Sequence, residues 1–121
     1  MKILIVDDNA TDLKLAHSVL EGAGHDVCDA VSAEQAVQIL QEYVPQVILT
    51  DLDLPRMDGL TMTKQLKQAP ATAGIPIIAI TAYPENYPRR LVRKAGFAAY
   101  FTKPINTRTL SKQVIDTLGH N

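Results

Sequence analysis

Short continuous runs of branched apolar residues alternate with stretches of helical periodicity along the whole chain, and no other feature of the sequence narrows the fold as much. Ile3-Leu4-Ile5-Val6, Val47-Ile48-Leu49-Thr50 and Ile77-Ile78-Ala79-Ile80 place apolar side chains at consecutive positions. Both faces of such strands must be covered, as in a parallel sheet held between helices. Asp26-Val27-Cys28-Asp29-Ala30 and Ala98-Ala99-Tyr100-Phe101 are weaker runs, and the charges in the first suit an exposed edge.

Between the strands, Leu13, Ala16, Leu20 and Ala23 fall on one helical face, as do Ala33, Ala36, Val37 and Leu40. Ser32 followed by Gln35 is a capping-box pattern at the start of the second helix. Gly59 to Gln68 reads as a third helix with Met62 and Leu66 inward, and Leu110, Val114 and Leu118 form the stripe of the last. Gly24, Pro45, Gly74 and Gly96 punctuate the connections. Pro84 and Pro88 both fall where a fourth helix should begin. A proline inside a helix costs about 3 kcal/mol but almost nothing at its first position, so this helix is expected to start near Pro88.

Five strand-helix units use nearly all of the 121 residues, which form one domain with no linker and no internal repeat. The alternation implies right-handed crossovers and one parallel sheet covered on both faces. Twelve Lys plus Arg against thirteen Asp plus Glu leave a net charge of -1, which does not mark the chain for nucleic acid or an anionic membrane. Its apolar runs are too short to span a bilayer, and Met1-Lys2 leads straight into the first strand with no signal-peptide pattern. Cys28 is the only cysteine, so no internal disulfide is possible and a reducing cytoplasm is the expected setting.

In an open sheet of this kind, ligands bind beyond the carboxyl ends of the strands. The first strand ends in Asp7-Asp8, the third in Asp51, the fourth in Thr81, and the fifth leads to Lys103. Each alone has a plain reading as a cap, a strand end or a turn residue; their coincidence at one edge does not. With a strand order of 2-1-3-4-5, Asp51 lies between the Asp7-Asp8 turn and Thr81. The fifth strand is then two places from the third, or roughly 10 Å, a gap that a lysine can reach across. Two carboxylates 4 Å apart repel by about 4 kcal/mol at an effective dielectric near 20. Lys103 can balance only one of the three, whereas Mg²⁺ takes a few carboxylate oxygens, some waters and a phosphate oxygen. The set reads as a phosphoryl site, with an Asp nucleophile, acids for Mg²⁺, and a lysine and a hydroxyl for phosphoryl oxygens.

These residues resemble the receiver domain of two-component response regulators along essentially the whole chain. The resemblance rests on Ile3-Leu4-Ile5-Val6-Asp7-Asp8-Asn9, Asp51-Leu52-Asp53-Leu54-Pro55-Arg56-Met57-Asp58-Gly59, Thr81-Ala82, Ala95-Gly96 and Lys103-Pro104 in that order. It implies a doubly wound five-stranded sheet of order 2-1-3-4-5 flanked by five helices. By the same likeness, Asp51 accepts a phosphoryl group from a phosphohistidine of a sensor kinase or phosphotransfer protein. Asp7, Asp8, Asp51 and the backbone carbonyl of Asp53 would hold Mg²⁺, and Lys103 would pair with a phosphoryl oxygen. Thr81 and Tyr100 match the switch pair, and the fourth helix, fifth strand and fifth helix match the face that signals to a protein target. Catalysis would extend only to the domain's own phosphorylation and dephosphorylation, and a monomer or weak dimer is expected. Lys103-Pro104 is a candidate cis bond.

Leu54 stands where the family often has Met. Asp53 reads as solvent-exposed, with a second reading in which it and Tyr83 tune the lifetime of the phosphoryl group. Arg89, Arg90, Arg93 and Lys94 put four basic residues in six positions, read either as a solvated face or as a dock for an acidic protein surface. His17, His25 and His120 lack metal-ligand spacing and are expected at the surface. Two competing functions have motifs of their own. Asp51-Leu52-Asp53 resembles the motif of haloacid dehalogenase-like phosphatases, with Asp51 as nucleophile and Asp53 as general acid, although no residues remain for a substrate cap. A degenerate receiver serving only as a docking module would not need the intact acids, Thr81 and Lys103.

Overall fold

Five parallel strands form one sheet in the order β2-β1-β3-β4-β5, so the chain starts in the middle and winds first to one edge, then to the other. The structure, a computed structural model, describes residues 1–119. In chain order its elements are β1 (Lys2–Val6), α1 (Ala10–Gly22), β2 (Asp26–Ala30), α2 (Ala33–Ile39), β3 (Val47–Asp51), α3 (Gly59–Gln68), β4 (Ile77–Thr81), α4 (Arg89–Ala95), β5 (Ala99–Thr102) and α5 (Leu110–Gly119). The expected fold class is the observed one.

The continuous apolar strands divide their side chains between two cores, because successive residues point to opposite faces. Leu4, Val6, Ile48, Ile77 and Ala79 pack against Ala33, Ala36, Met62, Leu66, Val92 and Ala95 of α2, α3 and α4. Ile3, Ile5, Val47, Leu49, Ile78 and Ile80 pack against Leu13, Ala16 and Leu20 of α1 and Leu110 and Val114 of α5. Burying each large side chain contributes about 1.5–3 kcal/mol, so these strands can lie only in the interior of the sheet. The edge strand β2 keeps Asp26 and Asp29 exposed, as its charges require.

Helix ends follow their local chemistry, with small departures from expectation. Ala23 is exposed rather than inward because α1 ends at Gly22 and Ala23 is its cap. Ser32 Oγ accepts the Gln35 N–H at 3.0 Å, but the Gln35 side chain reaches back to the N–H of Val31 instead of that of Ser32. Pro84 opens a short 3-10 turn, Pro84–Asn86, and Pro88 caps α4, whose first N–H donors bond its carbonyl. Gly96 ends α4 at φ 106°, where a side chain would be strained. His17 and His25 are half-buried and hydrogen-bonded rather than free at the surface, and His120 lies outside the described residues.

Candidate functional site

The winding direction reverses between β1 and β3, and the crevice at their carboxyl ends is where this architecture gathers ligands. Asp7 continues the β1–β2 ladder, its N–H donating to Ala30 O at 3.0 Å, so its backbone is fixed and its side chain is buried. Asn9 caps α1 by accepting the Asp12 N–H, which leaves the exposed Asp8 carboxylate uncommitted to the helix. Asp51 ends β3 beside β4 and is also buried. The turn after it is tight: Gly59 N–H donates to Leu52 O at 3.1 Å, and a Cβ on Gly59 would collide with the Asp51 carbonyl oxygen. The glycine thus lets α3 start directly against the strand end that carries Asp51.

One carboxylate oxygen from each of Asp7, Asp8 and Asp51 lies within 4.8 Å of the other two. Lys103 enters from the far edge of the sheet, its N–H held by Thr81 O at 2.8 Å, and the Lys103-Pro104 bond is cis. Its Nζ donates to Asp51 Oδ2 at 2.8 Å, Asp7 Oδ2 at 2.9 Å and Asp12 Oδ2 at 2.9 Å. Asp12 was not foreseen. The signal for it was its place in the first turn of α1, which opens over the same crevice. Burial pushes the Asp7 carboxyl above the usual range, although the Asn9 N–H and Lys103 pull it down. Burial also works against the Lys103 charge, but its bonds to Asp51, Asp12 and Asp7 outweigh this and hold the ammonium above its ordinary pKa. One cation therefore serves three carboxylates, with Asp8 a fourth nearby, and the pocket retains room in charge for a hard divalent cation.

Thr81 is fully buried, and its hydroxyl donates to Asp53 Oδ2 at 3.0 Å while accepting the Tyr83 N–H at 3.0 Å. Asp53 is half-buried and not solvent-exposed as its sequence position suggests. Its other carboxylate oxygen accepts the Tyr87 hydroxyl at 2.9 Å, and its N–H donates to Asp51 Oδ1 at 3.0 Å. Tyr87, not Tyr83, is the aromatic at the site; the Tyr83 side chain is exposed because the 3-10 turn at Pro84 carries the chain round to bring Tyr87 inward. Burial, and then the bond to Asp53, drive the Tyr87 hydroxyl well above its ordinary pKa. The half-buried Tyr100 donates its hydroxyl to Tyr87 O at 2.8 Å, and the Arg89 guanidinium lies 5.2 Å from its ring centroid.

Arg89, Arg90, Arg93 and Lys94 are all exposed, and none is ion-paired among the described residues. Arg89 and Arg93 border a groove of about 320 Å³ with Phe97, Tyr100 and Phe101. The structure thus gathers Asp7, Asp8, Asp51 and Lys103 in one pocket, joins Thr81 to it through Asp53, and places the four basic residues on a separate face.

A doubly wound sheet with buried acids and a lysine at its switch point defines a class of small α/β proteins whose site suits phosphoryl chemistry. Residues 3–115 match the response regulator receiver domain, and the chain belongs to that family. It is 32% identical over 117 residues to the polar-differentiation response regulator DivK of Brucella ovis, covering 97% of this chain and 95% of that protein. The chemotaxis response regulator CheY4 of Vibrio cholerae superposes with a TM-score of 0.87 at 26% identity, over 96% of this chain and 97% of that one. The receiver domain of the sensor histidine kinase PA1611 from Pseudomonas aeruginosa PAO1, with a magnesium ion coordinated in its active site cleft, gives 0.88 at 28% identity over 98% and 97%.

Proposed function

We propose that residues 1–121 form a single receiver domain that accepts a phosphoryl group on Asp51 from the phosphohistidine of a sensor kinase or phosphotransfer protein, with Mg²⁺ required. The observation that carries this reading is the position of Lys103 Nζ, drawn within 2.9 Å of acids from the ends of both β1 and β3. The Mg²⁺ assignment is supported by carboxylate oxygens that converge from Asp7, Asp8 and Asp51 and by their excess of negative charge; by family likeness the Asp53 carbonyl would be a fourth donor. Bound there, the ion would neutralise charge on the phosphoryl oxygens and on the acids.

An Asp51 carboxylate oxygen attacks phosphorus, the P–N bond breaks, and the imidazole leaves with its electron pair and takes up a proton. Lys103 exchanges its bond to Asp51 for one to a phosphoryl oxygen, and Thr81 supplies a second donor. Thr81 and Tyr100 then shift together between two existing conformations, altering the face built from α4, β5 and α5. The domain catalyses only changes of its own phosphorylation and is not a conventional enzyme. The phosphatase alternative finds little support, since the Asp53 carboxylate that would act as general acid already accepts two hydroxyl groups. Downstream, the four bases of α4, without an ion pair among the described residues, favour an acidic protein surface. A cytoplasmic setting suits the lone Cys28, and no described helix is long and apolar enough to cross a membrane.

Labelling with a radioactive low-molecular-weight phosphodonor tests the reading. Wild type should be labelled with Mg²⁺ and not with a chelator, and Asp51→Asn should take no label; equal labelling of the two proteins would remove the proposal.

A further inference from the structure

Tyr87 is held at both ends, and neither end belongs to the pocket of acids around Lys103. Its hydroxyl donates to Asp53 Oδ1 at 2.9 Å, and its carbonyl accepts the Tyr100 hydroxyl at 2.8 Å. Pro84 and Pro88 bracket it, and its N–H closes the 3-10 turn on Pro84 O at 3.1 Å, so the segment that carries it is short and fixed in direction. Asp53 is equally committed. One carboxylate oxygen takes Tyr87, the other takes Thr81, and the backbone N–H reaches Asp51 Oδ1.

A threonine hydroxyl has one proton to donate. While Thr81 gives it to Asp53, it cannot give it to a phosphoryl oxygen on Asp51. Both hydroxyl bonds to Asp53 end on a carboxylate and belong to the stronger class of hydrogen bond. Tyr87, by occupying one oxygen, fixes the plane in which the other faces Thr81. We propose that Asp53 and Tyr87 form a latch that holds Thr81 in its resting orientation and ties that orientation to Tyr100, setting the threshold that phosphorylation must overcome. Tyr87 is a positioning residue that acts through Asp53. The inference rests on the reading of Asp51 as phosphoacceptor. The negative charge gained at Asp51 would repel the Asp53 carboxylate while its new oxygens compete for the Thr81 proton. Both effects open the latch, and the loosened Tyr87 segment releases Tyr100.

The test uses the whole chain with saturating Mg²⁺ and beryllofluoride as the phosphoryl mimic, its binding followed by fluorine NMR. Tyr87→Phe keeps the ring and removes the hydroxyl, and should bind the mimic about fivefold more tightly; Asp53→Ala should bind about tenfold more tightly. Adding Tyr87→Phe to Asp53→Ala should change nothing further, because the hydroxyl's other and longer contact, to Leu52 O at 3.4 Å, does not reach Thr81. Unchanged affinity in both single variants overturns the latch, as does a full Tyr87→Phe effect in the Asp53→Ala background. A second reading needs no phosphoryl group: methyl couplings should show one Thr81 rotamer in unliganded wild type and averaging in Asp53→Ala. A Thr81 that is already averaged in wild type, or still fixed in Asp53→Ala, overturns the latch even where the mimic binds well. Failure of wild type to bind the mimic, with Thr81 fixed and freed as expected, instead strikes the phosphoacceptor reading and removes the threshold role that depends on it.

Discussion

Lys103 is the residue on which the charge balance of the pocket turns. The side chains of Asp7 and Asp51 are only 6% and 7% exposed, and Lys103 is the sole cation within ion-pair distance of either among the described residues. Breaking a buried pair by removing one partner leaves an uncompensated charge and costs about 3–5 kcal/mol. Lys103→Met should therefore lose about 3 kcal/mol in urea unfolding without divalent cations. Asp51→Asn should stay within about 1 kcal/mol of wild type, or exceed it, because Lys103 keeps Asp7 and Asp12 while one crowded charge disappears. A Lys103→Met protein as stable as wild type would refute this balance. Asp7, Asp8, Asp51 and Lys103 were legible in the sequence because each sits at a strand end, and strand ends in a parallel sheet share one edge. Tyr87 was not, since its reach depends on the path of a loop that a pattern of apolar residues does not encode; for Asp12 the one signal was its place in the first turn of α1, and its reach to Lys103 depends further on the tilt of that helix.

Elements were legible to the extent that their ends carry local chemistry. Pro88 marked the start of α4 because a proline fits no later position, and Gly59 to Gln68 was legible from its inward Met62 and Leu66; the structure adds that Asp58 caps this helix and that a Cβ on Gly59 would collide with the Asp51 carbonyl. His17 and His25 could not be read, because each binds across elements. His17 of α1 contacts Asp29 of β2 at 2.8 Å, and His25 joins the N-terminal amine to Ser111 of α5. Their pKa values move in opposite directions from 6.5. The bond to Asp29, aided by Glu21, raises that of His17, whereas burial and then the N-terminal charge lower that of His25. The His17 contribution is thus present below 6.5 and lost as pH rises through its folded value; that of His25 is present above 6.5 and lost as pH falls through its folded value. Unfolding measured between about pH 5 and pH 8 should show the wild-type advantage over His17→Gln shrinking with pH, and that over His25→Gln growing. Parallel slopes would contradict the assignment.

For the molecule as a whole, a net charge of -1 conceals a separation that the sheet order creates. Glu21, Asp26 and Asp29 lie toward the β2 edge, the pocket of acids sits at the switch point, and Arg89, Arg90, Arg93 and Lys94 face out from α4. A glutamate-rich peptide should bind wild type with an affinity that falls as salt rises, and Arg89→Glu with Arg93→Glu should abolish that binding. Undiminished binding by the reversed protein would leave α4 a merely solvated face. Phosphorylation could be read out on that face only if the acceptor is where the strand ends place it. The most direct measurement is therefore chemical mapping of the modified side chain. After phosphorylation with a small phosphodonor and Mg²⁺, borohydride reduces an aspartyl phosphate to the alcohol, and peptide mass spectrometry locates the converted residue. Conversion at Asp51 alone is the expected result; conversion at Asp53 or any other acid, or at none, would contradict the account.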